Sequence, residues 1–192
     1  MNPDPENRSH PGLALLLEHL LLLIRQIFME RHNEIGSQLE EVERLLQQNA
    51  RGSDIDPRVS EEFSGISRIL HSNQPSQEQT LSSMSMLVLK LQSSSEDSSS
   101  RPAAAPMAHL SIRQLRTLFN QPGSKVDSPQ LCQLRRSLSQ LLQSDKDLGL
   151  VATLFILRAA SASDLAQRQK KSEPVIWRML EEAARRICLV KI

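Results

Sequence analysis

The stretch LALLLEHLLLLIRQIF, residues 13–28, constrains this chain more than any other. Its polar residues fall at Glu18 and His19 and again at Arg25 and Gln26, so each pair recurs after seven residues and all four lie on one narrow helical stripe. The rest of the helix is apolar around most of its circumference. Soluble monomers rarely expose such a surface, so the segment must be covered by other helices of this chain or by another chain. Leu16, Leu20, Leu23, Ile24, Ile27 and Phe28 are the residues expected to make that contact. A membrane span or signal peptide is not expected, because Glu18 and His19 interrupt the segment and Asp4 and Glu6 precede it in place of a basic cluster.

Whatever covers this helix should itself be helical. Aromatic residues make up only 3% of the chain, with no Tyr and one Trp, so the core must be built from Leu, Ile, Val, Met and Ala. Such side chains favour helices over the half-buried pleated surfaces that Tyr, Phe and Thr fit. The periodicities agree. After a loose Pro- and Asn-rich arm, residues 1–12, and the apolar helix, Ile35, Leu39, Val42 and Leu46 form a seam flanked by Glu40, Glu41, Glu43 and Arg44. Its short length and Gly36 point to a local helix pair in preference to an extended coiled coil. Asp56 and Pro57 open a helix with Val59, Phe63, Ile66 and Leu70 on one face, and Ser76 with Gln79 resembles a capping box before Leu81, Met84, Val88 and Leu91. Residues 13–92 thus read as a helical association module.

Residues 93–107, within QSSSEDSSSRPAAAPM, cannot bury enough apolar surface to offset chain entropy, and they read as a linker. Beyond it, residues 108–192 form a second helical part. Leu110, Leu115, Leu118 and Phe119 suggest a short helix. Ser128 and Pro129 start another, with Leu131, Leu134, Leu138, Leu141 and Leu142 on its buried side, and Asp145 can cap the apolar run LGLVATLFIL. The two parts differ in charge. Residues 1–107 hold 9 Lys/Arg against 15 Asp/Glu, whereas residues 108–192 hold 14 against 7. The basic part can attract nucleic acid, an acidic partner or its own N-terminal half.

The closing segment carries the most specific pattern. Ser163 can cap a short helix with Leu165 and Ala166, and Ser172 can cap a longer one with Pro174 in its first turn. On that helix Val175, Ile176, Met179, Leu180, Ala183 and Ile187 share a packing side, while Trp177, Arg178, Glu181 and Arg185 project from the other. The run SASDLA, then SEPVIWRMLEEAARR, then the strand-like ICLVKI resembles the winged-helix form of helix-turn-helix, over about 45 residues from Asp147 to Ile192. That resemblance implies a presented helix with Ser172, Glu173, Trp177 and Arg178 near a bound partner or DNA, and Arg185 and Arg186 toward a phosphate backbone. Lys170 and Lys171 would add a basic rim. The turn carries Gln169, Lys170 and Lys171 where such turns often place an apolar residue and a Gly, and Glu173, Glu181 and Glu182 interrupt the basic face.

Catalytic constellations are missing from the pattern. Pro122-Gly123-Ser124-Lys125 lacks the spacing of a phosphate loop, the five histidines at 10, 19, 32, 71 and 109 form no ligand pair, and adjacent acids such as Glu181 and Glu182 diverge on a helix. Cys132 and Cys188 sit in apolar contexts and read as buried free thiols, which suits a reducing intracellular compartment, cytoplasm or nucleus. The sequence therefore leads to a mainly α-helical chain with no cofactor, no metal, no small-molecule substrate and no enzymatic activity. Its expected role is an adaptor or structural subunit that binds protein partners or a second copy through helices; the alternative is a DNA-binding regulator with an N-terminal dimerisation region.

Overall fold

The structure, a computed structural model, describes residues 11–51, 57–71, 77–93, 107, 110–120 and 128–189. Nine helices account for nearly all of these: α1 (Pro11–Phe28), α2 (His32–Arg51), α3 (Pro57–His71), α4 (Gln77–Ser93), α5 (Ile112–Phe119), α6 (Pro129–Ser144), α7 (Lys146–Ile156), α8 (Ala162–Gln169) and α9 (Glu173–Leu189), with no strand among the described residues. The mainly α class read from composition is the observed one. None of these helices is long and apolar enough to cross a membrane.

The apolar helix is covered from within. Leu16, Leu20, Leu23 and Ile24 have no exposed surface, and Ile27 and Phe28 have at most 3%. They pack against α2 and α4. Each such side chain contributes about 2 kcal/mol relative to leaving it in water. The six residues expected to meet a partner are therefore core of this chain and not a surface. Part of the polar stripe also turns inward. Gln38 of α2 donates to the His19 ring at 2.7 Å and to the His19 carbonyl at 3.2 Å, and buried Gln26 donates to Glu34 at 3.2 Å. The seam residues Leu39, Val42 and Leu46 are buried, giving the local α1–α2 pair that the spacing suggested.

α4 is the central element. Leu81, Met84, Val88 and Leu91 are buried as their spacing predicts, but so are Leu87 and Leu89 on its other sides. The reason is that α4 packs on α1 and α3 in the first half and on α6 and α7 in the second. One apolar cluster consequently runs from Leu16 through Leu134 and Val151 to Ile187. The two parts share a core instead of being only tethered by a linker. Residues 94–106 of that linker, the arm up to residue 10 and the caps expected at Asp56 and Ser76 lie outside the described residues. Met107, assigned to the linker, is buried at 1% exposure.

Several ends differ from expectation for identifiable reasons. α1 begins at Pro11, before the apolar run, and α2 passes through Gly36 without interruption. Gly36 and Gly65 both sit in helices with nothing within 4 Å of where a Cβ would be. Gly36→Ala and Gly65→Ala should each raise stability by about 0.5–1 kcal/mol, seen as a higher urea midpoint at unchanged slope.

The cap of α8 is Ser161, not Ser163, because only Ser161 has an acid three residues on. Asp164 N–H donates to Ser161 Oγ at 3.1 Å, while Ser161 N and Oγ donate to Asp164 Oδ2 at 2.8 and 2.6 Å. The Ser161 hydroxyl first, and its backbone amide second, hold the Asp164 carboxyl below the ordinary aspartate range. A depressed carboxyl contributes stability that is present above its unfolded-state pKa and lost as pH falls through the folded value. Ser161→Ala should lower stability by about 1 kcal/mol at neutral pH, and its deficit against the parent should shrink in acid, as thermal melts from pH 7 to pH 3 would show.

The last segment is helical where a strand was expected. α9 continues through Ile187, Cys188 and Leu189, and residues 190–192 lie outside the described region. Ile187 is fully buried and continues the stripe of Ile176, Leu180 and Ala183, so packing outweighs the strand preference of its β-branched side chain.

Candidate functional site

The junction of α5, α7 and α9 is built around two rings. Phe155, buried on α7, meets Trp177 of α9 edge to face, with centroids 5.6 Å apart and planes at 77°. Arg113 of α5 lies over the Trp177 ring at 4.6 Å, and Arg116, one turn on, lies over Phe155 at 4.4 Å. Helix α5 can place both because they are three residues apart and so share a face. Ser111 fixes its start with a capping box to Gln114, and Asn120 ties its end to α7 by donating to the Ile156 carbonyl at 2.8 Å.

A third arginine joins this pair. Arg158 follows α7 with φ of 59°, in the left-handed region, and its side chain is exposed. Burial first, and then the nearby charge of Arg158, pulls the Arg116 guanidinium below its ordinary value. None of the three is ion-paired to a carboxylate among the described residues. Stacking orients the planar guanidinium groups while leaving their N–H edges available for a bidentate carboxylate. Holding a non-glycine residue at positive φ costs about 1 kcal/mol, and here the residue held is a cation close to Arg116.

The residues singled out in the sequence fall into separate groups. Trp177 is half-buried against Phe155 and Arg113, and its Nε1 donates to Glu173 at 3.3 Å, so it is the floor of the face and not a free anchor. Arg178, Glu181 and Arg185 form an exposed stripe beside it, with Arg185 3.3 Å from Glu182. Arg186 turns away. It donates to Glu182 and to Asp145, each at 3.0 Å, bracing the start of α7 instead of presenting a free charge to a ligand. Lys170 occupies the left-handed position that ends α8, φ 52°, which explains the turn without a glycine. Exposed Lys171 donates to Gln169 at 3.1 Å, and Ser172 and Glu173 are exposed at the start of α9.

Arg113, Arg116 and Arg158 were not singled out from the sequence, since they lie on two other elements. Their only local signal was the basic balance of the second half. Burial pushes the Cys188 thiol above its ordinary value, and its Sγ donates to the Leu110 carbonyl at 3.7 Å. Among the described residues no group of three or more His, Cys, Asp or Glu is placed to hold a metal ion. The geometry therefore defines a cationic, aromatic-floored surface on a helical chain. Compared with known proteins, the chain matches no family model, no curated protein and no solved structure.

Proposed function

We propose that the protein is a non-enzymatic adaptor or structural subunit of a multiprotein complex, and that its C-terminal part, α5 together with α7 to α9 in winged-helix-like order, docks an acidic surface of a partner protein. The observation that carries this reading is the set of three arginines, two of them stacked on Phe155 and Trp177, with no carboxylate paired to them among the described residues. Stacked arginines and tryptophan are enriched where interfaces concentrate their binding energy. The exposed stripe of Arg178, Glu181 and Arg185 extends the face with mixed charge, which suits a folded protein surface better than a uniform polyanion.

DNA recognition is the second reading. It is favoured by exposed Lys170 and Lys171 beside the exposed first turn of α9. Against it stand Glu173, Glu181 and Glu182 on the same helix and the engagement of Arg186 with Asp145.

A photo-crosslinking residue placed at Arg178 or Glu181 in the full chain, with Gln143 on α6 as control, tests the proposal. The expected result is a discrete protein adduct from the α9 positions whose purified partner binds at least about tenfold more weakly to Arg113→Glu/Arg116→Glu. Adducts to nucleic acid, with duplex binding that falls steeply between two salt concentrations and on replacing Lys170 and Lys171, would establish the DNA reading instead. Arg158→Gly separates strain from function. It should raise stability by about 0.5–1 kcal/mol through relief of the left-handed backbone while weakening partner binding, measured by denaturation and titration of the same preparation.

A further inference from the structure

With its buried residues accounted for, α1 and the turn residue that follows it still show an outer stripe. Leu15, Leu22 and Met29 are 42%, 43% and 43% exposed, and they are seven residues apart. Exposed Glu18 and Arg25 lie on the same stripe, between the first and second and between the second and third of these residues. Neither is within ion-pairing distance of an opposite charge among the described residues, and Arg25 lies close enough to Asp164 of α8 to help lower its carboxyl. Beside the stripe lies a notch of about 210 Å³, lined by Leu22, Arg25, Gln26, Met29, Arg31 and Glu34.

We infer that this stripe is a self-association surface, on which α1 of a second copy packs antiparallel across a two-fold axis near Leu22. The stripe is complementary to itself in that orientation alone. Leu15 and Met29 each stand about 10.5 Å along the helix from Leu22, so the axis brings Leu22 onto Leu22 of the other copy and Leu15 onto Met29. Glu18 precedes Leu22 by about 6 Å and Arg25 follows it by about 4.5 Å, so each carboxylate meets a guanidinium of the second copy with an offset of only about 1.5 Å. A parallel pairing would oppose Glu18 to Glu18 and Arg25 to Arg25. The antiparallel register also brings Leu15 of the second copy to the Met29 end of the notch. Three half-exposed side chains per copy make a small interface, so the dimer is concentration-dependent and not obligate. The inference does not depend on the arginine face, which is carried by other helices.

Sedimentation of the full chain from about 1 μM to 1 mM, a span suited to weak complexes, tests it. The mass should rise from 21.6 kDa toward twice that value. Leu22→Glu, at an exposed position that leaves the melting temperature unchanged, should hold the chain at the lower mass throughout. Glu18→Arg should weaken the dimer at least about tenfold, and Glu18→Arg/Arg25→Glu should restore it. A parent chain that stays at 21.6 kDa at the highest concentration overturns the inference, even if the stripe takes up a helix of another protein. So does a dimer indifferent to Leu22→Glu, or a charge swap without recovery. In each case partner crosslinking through Arg178 is unaffected, so the two proposals fail separately.

Discussion

Gly149→Ala should destabilise the protein by about 2–3 kcal/mol, although alanine is the better helix former by about 1 kcal/mol. Gly149 is buried on α7, where the chain has just reversed from α6 through Asp145. A Cβ there would meet the Leu142 backbone N and Cα at 2.6 Å and the Leu141 carbonyl carbon at 2.8 Å. These are main-chain atoms of a helix, so no rotamer change can relieve the contact; α6 and α7 would have to separate. Both helices pack on α4 and on α9, so the separation would disturb the shared core. The thermal midpoint should fall by roughly 5–10 °C, against a small rise for Gly36→Ala, whose surroundings are open. A Gly149→Ala protein as stable as its parent would mean that the two helices are not in backbone contact.

Arg168→Met should cost a similar amount, about 2–3 kcal/mol, despite preserving most of the side chain's apolar length. α1 ends with Glu30 at φ 58°, and its last four carbonyls are all satisfied. Met29 and Arg31 amides donate to Arg25 and Gln26 at 2.9 and 3.0 Å. The Glu30 amide and the Gln77 side chain reach Ile27 at 3.2 and 3.0 Å. The remaining carbonyl, Phe28, accepts from Arg168 Nη1 at 2.6 Å. The same guanidinium lies 5.1 Å over the Phe28 ring, pairs with Glu30 at 3.2 Å and donates to Gln77. Methionine would leave the Phe28 carbonyl and the Gln77 oxygen without this donor where little water reaches. Arg168→Lys should recover only part of the loss, because an ammonium lacks the planar fork that serves several acceptors while covering a ring. Equilibrium unfolding in urea would check both variants. A negligible effect of Arg168→Met would show that the two halves fold independently of this clasp.

That clasp also shows what local sequence can and cannot disclose. The helices α6 and α7 were legible because five leucines keep helical spacing after Ser128-Pro129 and because Asp145 caps the run that follows. The burial of 13–28 was equally plain, but not what buries it: nothing local distinguishes cover by α2 and α4 from cover by a second chain. Arg168 stands 140 residues from the carbonyl it serves, and no periodicity records such a pairing. The same holds at the candidate site. Trp177 was conspicuous as the single tryptophan, yet its stacking on Phe155 and the approach of Arg113, Arg116 and Arg158 arise from the crossing of three helices. At Ser163 and in ICLVKI the local pattern is outweighed, in the first case by the capping box of Ser161 with Asp164 and in the second by the continued burial of Ile187.

The chain buries its own apolar helix, leaving α1 only a narrow outer stripe, and the proposed partner recognition falls to the arginine face. Hydrogen–deuterium exchange of the full chain, at a dilution where its mass is 21.6 kDa, tests this most directly. The amides of Leu16 to Ile27 should then be as protected as those of α4 and α7, and Arg168→Met should loosen them. Exchange of those amides at the rate of an unfolded chain, with protection appearing only on association, would mean that a second chain and not α2 and α4 covers the apolar helix.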